Sequence, residues 1–353
     1  GNELQGALLE AFYSGAYILG PQVGAFEIEF ARSVNSNFAV GVASGSDALE
    51  LSLKALKIGS GDEVITTPLS YIATSHAIEH VGAKIVFADI DIHTLTLDPT
   101  KVIQKISKKT KAIIPVHIFG QPCNMTEFAS IKKAHALSLI EDAAQAVGSH
   151  WNREPLGSHS DSVCYSFFPT KNLGGCGDAG AITTNDPHIA ESLSSLRRHG
   201  QRNEKYVHFE LGRNSRLDTI QAAVLLKKIS HLPRWNERRR ELAHTYQEKL
   251  SHCTQLQLMQ THPLAYHVYH AFCIRAHRRN ELKQHLSSKG IETAIYYPIP
   301  LHLQPIYSNL GYRKGDFPNA ETVCDDILAL PIHPYLTSDK IDFVCQSILE
   351  FFN

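Results

Sequence analysis

The sequence predicts an α/β protein in which a large domain with a mostly parallel β-sheet precedes a smaller α+β domain. Over the first two-thirds of the chain, short apolar segments alternate with helical patterns. Such alternation implies a parallel sheet that helices cover on both faces. From about residue 218 the pattern becomes long and helical. We therefore expect a large domain over residues 1–230, and a connecting helix with the small domain over residues 231–353.

Six segments of the large domain have the short, apolar character of buried strands. They cover residues 38–42, 63–67, 84–88, 111–116, 138–141 and 162–167. Helical patterns begin near Tyr71 and at about residue 124, and the second of these ends near residue 136.

The remaining third of the chain predicts helices around one strand. The helical pattern of residues 218–253 is interrupted near Pro233, because proline lacks an amide hydrogen and crowds the preceding turn. A strand at 267–276 and helices at 279–289 and 337–352 follow. Residues 199–216, just before this part, are polar and basic with two glycines, and they predict an extended loop.

Composition favours a globular protein over a nucleic-acid-binding or membrane protein. Hydrophobic residues make up 43% of the 353 residues, charged residues 20%, and the formal net charge is −1. A nucleic-acid-binding protein would show a basic patch or stripe, and no apolar run approaches the roughly 20 residues of a membrane helix. We expect neither nucleic acid nor membrane as a partner.

The seven cysteines and twenty histidines suggest neither a disulfide framework nor a metal site. The cysteines are odd in number and irregularly spaced, which fits a reducing cytoplasm. The histidines are scattered, without an HExxH pattern. We expect no bound metal and a cytoplasmic location.

The first candidate site motif is SGSDAL, which follows the strand at 38–42 and opens a helix. Free amides and the positive end of the helix dipole suit a phosphate group there, and Gly45 allows close approach of the backbone. The alternative is an ordinary helix N-cap by Ser46.

The second motif is IEDAAQ, in which Asp142 lies at the carboxyl end of a predicted buried strand. Ligands of open α/β sheets bind at that edge. Pyridoxal phosphate (PLP) needs a carboxylate beside its pyridine nitrogen, so that the protonated ring can accept electrons. Asp142 fits this role, and the alternative is a capping box formed with Gln145.

The third motif is SFFPTKNLGGCGDAG, in which Lys171 follows an apolar strand and precedes four glycines. A lysine forms a Schiff base when its amine is held neutral, and glycines let the chain approach a flat ring. The alternative is an exposed loop lysine. A phosphate cradle, a strand-end acid and a loop lysine in this order are typical of PLP enzymes with the aspartate aminotransferase fold (fold type I).

The sequence resembles the DegT/DnrJ/EryC1/StrS family of PLP-dependent sugar aminotransferases over nearly the whole chain. Ordered matches include VASGSDALELSLKAL, LIEDAAQAVGS, SFFPTKNLGGCGDAGAI, GRNSRLDTIQAAVL and YYPIPLHLQPIY. Family members usually begin some residues earlier, so an opening segment is expected ahead of Gly1. Some members carry histidine at the lysine position and are dehydratases. Lys171 therefore favours transamination over dehydration.

The resemblance implies a role for each matching residue. Lys171 matches the Schiff-base lysine, Asp142 the acid at the pyridine nitrogen, and Gln145 a hydrogen-bonding residue near the ring hydroxyl. Tyr71 matches an aromatic residue that stacks on the cofactor. The phosphate-binding positions are matched by Gly45, Ser46 and Ser166, and by Asn214, which would reach the site of the neighbouring subunit in a homodimer.

The resemblance also implies a two-half reaction in which L-glutamate donates an amino group to a keto sugar linked to a nucleotide such as dTDP, UDP or GDP. The segment at 296–302 is closer to members that act on 3-keto sugars, and 4-keto sugars are the alternative. Tyr296 and His302 are expected substrate contacts, with a packed loop as their alternative. His117 is expected to pack rather than to catalyse. A PLP-binding regulator without turnover, and a lyase or dehydratase of the same fold, are the other functions considered.

Overall fold

The computed structural model describes residues 2–352. Its α-helices are α1 (Asn2–Tyr13), α2 (Pro21–Ser33), α3 (Gly45–Ala55), α4 (Ala73–His80), α5 (Pro99–Ile103), α6 (Met125–His135), α7 (Pro187–Leu196), α8 (Thr219–Lys228), α9 (Leu232–Leu250), α10 (Arg279–Ser288), α11 (Pro318–Asp326) and α12 (Ser338–Phe352). None of the helices within residues 2–352 is long and apolar enough to cross a membrane.

The large sheet has seven strands in the order β1-β9-β8-β5-β4-β2-β3, and only β9 runs against the others. Two small antiparallel sheets have the orders β10-β12-β13 and β11-β6-β7. The strands are β1 (Phe38–Val42), β2 (Glu63–Thr66), β3 (Lys84–Phe87), β4 (Thr110–Ile114), β5 (Ser138–Asp142), β6 (His150–Trp151), β7 (Glu154–Pro155), β8 (Ser162–Ser166), β9 (Gly180–Thr184), β10 (Leu256–Leu258), β11 (Ala265–Tyr266), β12 (Phe272–Ala276) and β13 (Ile327–Leu330).

Both faces of the large sheet are buried, as the continuous apolar strands predict. Successive strand residues alternate between the faces, so Val64 belongs to an apolar cluster with residues of α3, α4 and α7, while Ile65 belongs to a second cluster with residues of α6. At the other end of the sheet, Val163 and Tyr165 pack against α2 and α8. The predicted mostly parallel sheet with helices on both faces is confirmed.

The strand predicted at 267–276 was too long, because only Phe272–Ala276 is extended. Tyr269 has a φ of +43° and its ring stacks on His267, so the chain cannot continue as a strand through these residues. The interruption near Pro233 is confirmed. A 3₁₀ turn at Ile229–His231 separates α8 from α9, and Pro233 lies in the first turn of α9.

The C-terminal part has its own apolar cluster. Residues from α9, β12, α10, β13 and α12 form it, including Leu242, Ile274 and Ile341. The main cluster of the large sheet, however, also includes Leu301 and Val323 from beyond residue 230. The division at residue 230 therefore stays a prediction.

Candidate active site

The carboxyl ends of four strands meet at one edge of the large sheet. β2, β4, β5 and β8 are parallel, and β1 shares their direction because β1 and β8 both run against β9. Ser44, Ser70, Asp142 and Ser166 lie at or just after the ends of β1, β2, β5 and β8. Because this edge is where open α/β sheets bind ligands, it is the candidate site.

Asp142 places a buried carboxylate at the centre of this edge. Thr74 Oγ1 donates a hydrogen bond to Oδ2 at 2.7 Å, and the Ala144 amide donates to Oδ1 at 3.1 Å. Burial raises the pKa of Asp142, while these two hydrogen bonds and the positive charge of Lys171 act in the lowering direction. The carboxylate is thus held in place from both sides.

The capping-box alternative for Asp142 is not realised, because irregular turns rather than a helix follow it. Gln145 uses its amide elsewhere. Its Oε1 accepts from the Phe119 amide at 2.6 Å, and its Nε2 donates to the Tyr297 hydroxyl at 3.1 Å. The Tyr297 ring lies 6.3 Å from the ring of Tyr71, which is 59% exposed. These three residues form a connected wall beside Asp142.

Lys171 lies in a turn five residues after β8 ends, and its amide donates to the Phe168 carbonyl at 2.8 Å. The side chain is half-buried. Burial lowers the pKa of Lys171 to about 8, and the negative charge of Asp142 opposes this shift. An amine that is half uncharged near pH 8 can act both as a nucleophile and as a proton carrier.

The N-terminus of α3 forms the expected cradle. Ser44 is the N-cap, since its side chain accepts from the Asp47 amide at 3.1 Å. Ser46 is therefore not the cap, and the cap alternative is wrong for that residue. The amides of Gly45 and Ser46 are the first in the helix, where no carbonyl of the preceding turn exists to accept from them.

Two glycines allow the backbone to pack closely at this cradle. A Cβ atom on Gly45 would lie 2.8 Å from Ser166 Cβ. A Cβ atom on Gly180 would lie 2.5 Å from the carbonyl carbon of Ser44. Real Cβ atoms do not approach this closely, so both positions need glycine, and Ser166 lies directly against the start of α3.

A cavity of about 950 Å³ opens beside Lys171. Tyr296, which is 40% exposed, and His270 contribute to its walls, as do residues 169–172 and 329–335. This volume lies within the usual range for small-molecule sites. Tyr296 is therefore placed where a ligand that reaches Lys171 could touch it.

The family model of the DegT/DnrJ/EryC1/StrS aminotransferases matches residues 1–349. The chain belongs to that family. It is 44% identical to a "Pleiotropic regulatory protein" of Geobacillus stearothermophilus, over 99% of this chain and 94% of that protein. It is 41% identical to the dTDP-3-amino-3,4,6-trideoxy-alpha-D-glucose transaminase of Streptomyces venezuelae, over 99% of this chain and 92% of that enzyme. The predicted family and aminotransferase activity are confirmed.

Solved structures of aminotransferases have the same fold. DesV of S. venezuelae, in complex with a ketimine intermediate, matches with a TM-score of 0.98 and 41% identity over 100% of this chain and 95% of that chain. NtdA of Bacillus subtilis, with bound cofactor PMP, matches with a TM-score of 0.93 and 30% identity over 99% of this chain and 81% of that chain. The predicted aminotransferase fold of type I is confirmed.

Asn214 of this aminotransferase lies between two residues that attach its loop to the start of α3. Ser215 Oγ accepts from the Ala43 amide at 3.1 Å, and Arg213 Nε lies 3.3 Å from Asp47 Oδ1. Adjacent side chains of an extended segment point to opposite sides. Since Asn214 is exposed, its side chain faces away from the subunit that anchors it.

His302 does not line the cavity beside Lys171. The ring is 1% exposed, its Nε2 atom lies 3.1 Å from Glu321 Oε1, and its centroid lies 4.7 Å from that of Phe317. This burial leaves no surface for a substrate, so we correct the expected role of His302 to that of a packing residue.

His117 is fully buried, with both ring nitrogens engaged. Nδ1 accepts from the Cys123 amide at 3.0 Å, and Nε2 lies 2.7 Å from Glu141 Oε2. Because Nδ1 accepts, Nε2 carries the proton and donates to the carboxylate. The ring supports the turn beneath Asp142, and this position fits packing rather than catalysis.

Sequence reasoning missed Tyr297, Thr74 and His270. Tyr297 is adjacent to Tyr296 in the same motif, and Thr74 follows Tyr71 by three residues, so each had a local signal. His270 had none, since the fold brings it from the distant C-terminal part to the cavity of Lys171. Burial and the charge of Lys171 hold the pKa of His270 well below its usual range.

Proposed function

We propose that this aminotransferase uses PLP to transfer an amino group from L-glutamate to a nucleotide-linked 3-keto sugar, giving a 3-amino sugar. One observation carries the proposal. A buried carboxylate, Asp142, and a lysine of lowered pKa, Lys171, lie close enough at the ligand-binding edge of the sheet for each charge to shift the pKa of the other. The S. venezuelae relative, which is named a 3-amino sugar transaminase, supports the substrate class.

The residues of the site fit PLP. The first amides of α3, with the Ser166 hydroxyl, suit the phosphate, and Asp142 suits the pyridine nitrogen. Tyr71 offers an exposed aromatic face for the ring, and the Lys171 amine is the group that bonds the cofactor. When bound, PLP supplies an electron-withdrawing ring that stabilises negative charge on the substrate carbon next to nitrogen.

The protein side chains have three tasks in this proposal. Asp142 keeps the proton on the ring nitrogen, because its ionised carboxylate favours the cationic ring. Lys171 would take the proton from the α-carbon of the donor after the donor amine has displaced it from the cofactor, and would pass that proton to the cofactor carbon bonded to the same nitrogen. Its lowered pKa makes the uncharged amine available near neutral pH. Tyr296 contacts the sugar nucleotide in the cavity.

The substrate assignment is tested with a panel of dTDP- and UDP-linked sugars that carry the keto group at C3 or at C4. The enzyme, L-glutamate and each sugar are incubated, and the products are identified by mass spectrometry and NMR. We expect an amino group at C3 only, for a product used in amino sugar and surface polysaccharide synthesis, such as that of lipopolysaccharide. Amination at C4 alone would replace the 3-keto assignment by the 4-keto alternative.

The role of Lys171 is tested by absorption spectroscopy of the PLP-loaded protein. L-Glutamate converts the absorption band of the bound cofactor to that of its amino form in the wild-type protein. In Lys171→Ala, we expect glutamate no longer to convert the cofactor band at the rate seen in the wild type. Lys111→Ala is the matched control, since Lys111 is exposed near the amino end of β4, at the opposite edge of the sheet. Wild-type turnover by Lys171→Ala overturns the assignment.

The name of the Geobacillus relative provides a second candidate, a regulatory role for the same fold. The intact pair of Asp142 and Lys171 favours turnover. The spectroscopic experiment separates the two functions, because a regulator without turnover binds PLP but leaves the cofactor band unchanged when glutamate is added. A lyase or dehydratase would also leave it unchanged, yet would convert a sugar nucleotide without glutamate.

We also propose a homodimer in which Asn214 completes the phosphate site of the partner subunit. The outward direction of its side chain supports this arrangement. So does the neighbouring loop, where Tyr206, Phe209 and Leu211 are 78%, 54% and 86% exposed. Apolar side chains exposed to this extent on one segment are typical of an interaction surface.

Mixed dimers test the shared site. Lys171→Ala and Asn214→Ala chains are each expected to be impaired alone. Mixed together, half of the dimers are heterodimers with one fully wild-type site, so about a quarter of wild-type activity returns if Asn214 acts across the interface. No recovery on mixing would place Asn214 in the site of its own subunit.

We further propose the division into a large domain up to residue 230 and a small domain after it. The C-terminal cluster of Leu242, Ile274 and Ile341 supports the small domain. A cytoplasmic location is supported by the cysteines, since all seven are free thiols and five are buried.

A further inference from the structure

A chain of three buried polar groups leads away from the proposed cofactor site. Ser70 Oγ lies 2.8 Å from Thr74 Oγ1, and Thr74 Oγ1 lies 2.7 Å from Asp142 Oδ2. Ser70, Thr74 and Asp142 are 4%, 1% and 5% exposed. Two different elements supply these groups, the start of α4 with its preceding turn and the end of β5, so the chain is tertiary rather than local.

The hydrogen bonds of this chain have a fixed direction when Asp142 is ionised. A carboxylate can only accept, so the single hydroxyl proton of Thr74 points to Asp142. Ser70 must then donate its own proton to Thr74 Oγ1. If Asp142 were protonated, its proton could instead point to Thr74, and both hydroxyls could reverse. The direction of the two hydroxyls is therefore tied to the charge of Asp142.

Each oxygen of Asp142 has a different environment. Oδ2 accepts from Thr74, and Oδ1 accepts from the Ala144 amide with a lone pair to spare. This pair of contacts fixes the rotation of the carboxylate plane about its Cβ–Cγ bond. The titratable groups that face Asp142 from other elements are Lys171, His117, Tyr297, Cys123 and Cys164.

We propose that Thr74 is a positioning residue which holds Asp142 ionised and oriented toward the cofactor nitrogen, with Ser70 setting the direction of the Thr74 hydroxyl. The proposal rests on the proposed PLP function. Burial alone favours a neutral carboxyl group, and a neutral group would not keep a proton on the ring nitrogen. A hydroxyl that donates to the carboxylate in a buried site strongly favours the charged form.

The test measures PLP affinity of the cofactor-free protein by fluorescence, and the pH at which the ring nitrogen of bound PLP loses its proton by NMR of ¹⁵N-labelled PLP. Thr74→Val removes the hydroxyl and keeps the branched shape. For Thr74→Val we expect the dissociation constant of PLP to rise roughly 10- to 100-fold, the range for loss of a hydrogen bond to a charged group. We also expect the ring nitrogen to lose its proton at a lower pH. Thr74→Ser is expected to restore both within about threefold, and Ser70→Ala to have a smaller effect than Thr74→Val.

Thr66→Val is the matched control. Thr66 is also fully buried, on β2, which β4 separates from β5, and its Oγ1 donates to the Ile114 carbonyl at 2.8 Å. Its loss removes a buried hydroxyl without touching Asp142. We expect thermal unfolding of the cofactor-free protein to shift similarly in both valine variants, while PLP affinity falls only in Thr74→Val. Equal PLP affinity of both variants overturns the proposal, as does failure of Thr74→Ser to restore it.

Asp142→Asn separates this proposal from the proposed function. If Asp142→Asn leaves the cofactor band and its pH dependence unchanged, the PLP role of Asp142 itself fails. If Asp142→Asn changes the cofactor band and its pH dependence but Thr74→Val behaves as wild type, only the positioning role of Thr74 fails.

Discussion

The charged form of Lys171 is destabilised by its own position, and replacing Lys171 by methionine should stabilise the cofactor-free protein. Burial lowers the pKa of Lys171 to about 8, from an ordinary value of 10.5. Methionine has a similar length and no charge. The substitution abolishes the proposed chemistry, so stability and activity should change in opposite directions.

The magnitude follows from the pKa. A fall from 10.5 to about 8 corresponds to roughly 3 kcal/mol of lost folding stability below pH 8, at about 1.4 kcal/mol per pKa unit. Between pH 8 and 10.5 the unfolded chain binds the lysine proton while the folded chain does not. Stability of the wild type therefore rises with pH in this window. Because the pKa of about 8 already includes the attraction of Asp142, the expected gain of Lys171→Met at pH 7 stays at roughly 3 kcal/mol.

Urea unfolding of the cofactor-free proteins between pH 6 and 10.5 measures this difference. We expect Lys171→Met to exceed the wild type in unfolding free energy at pH 6–7 and the difference to shrink toward zero above pH 10. Lys111→Met is the control and changes an exposed lysine, so its effect should stay within about 0.5 kcal/mol at every pH. A difference that does not vary with pH, or a less stable Lys171→Met protein at pH 7, refutes the reasoning.

Three further predictions concern other parts of the site. Gly180→Ala should weaken PLP binding at least about tenfold in fluorescence titrations, because its Cβ would overlap the Ser44 carbonyl next to the cradle; unchanged affinity would show that this backbone can move freely. His302→Ala should lower the unfolding free energy by about 2 kcal/mol through loss of the buried contact with Glu321. It should leave KM for the sugar nucleotide within about twofold of the wild type. A large rise in KM would restore the substrate role of His302. Arg213→Gln should loosen the loop that carries Asn214 and reduce the PLP affinity of the dimer. Adding Arg213→Gln to the Asn214→Ala protein should cause no further loss of PLP affinity. Additive losses in the double variant would mean that the two residues act separately.

Much of the fold could be predicted because the strands of a parallel sheet are apolar on both faces. The segments at 38–42, 63–67 and 84–88 needed no knowledge of their partners to be identified. β9 had a weaker signal, since it begins with glycine and runs directly after a glycine-rich loop. The segment at 267–276 shows the opposite error, because its sequence predicts one continuous strand although left-handed Tyr269 delays the start of the strand to Phe272.

The candidate site could be predicted where its residues follow strand ends, and not where distant segments contribute. Asp142 and Lys171 are marked by their own flanking sequence. The role of His302 could not be predicted from its flanking sequence. A histidine in a proline-rich loop has the same local sequence whether its side chain faces a cavity or pairs with Glu321. His270 reaches the Lys171 cavity only through the packing of the C-terminal part. Long-range contacts therefore account for what local patterns miss.

Asp142 and Lys171 also explain why this site is built to be completed by a ligand. Burial acts on both in the unfavourable direction, raising the pKa of the acid and lowering that of the amine. Each charge relieves the other only in part. A ligand with a cationic ring nitrogen and an anionic phosphate gives Asp142 a closer positive charge and accepts hydrogen bonds from the first amides of α3. The same ligand would bond covalently to the Lys171 amine. Binding thereby removes several costs of the free protein at once, so PLP should stabilise the wild type far more than it stabilises Lys171→Met.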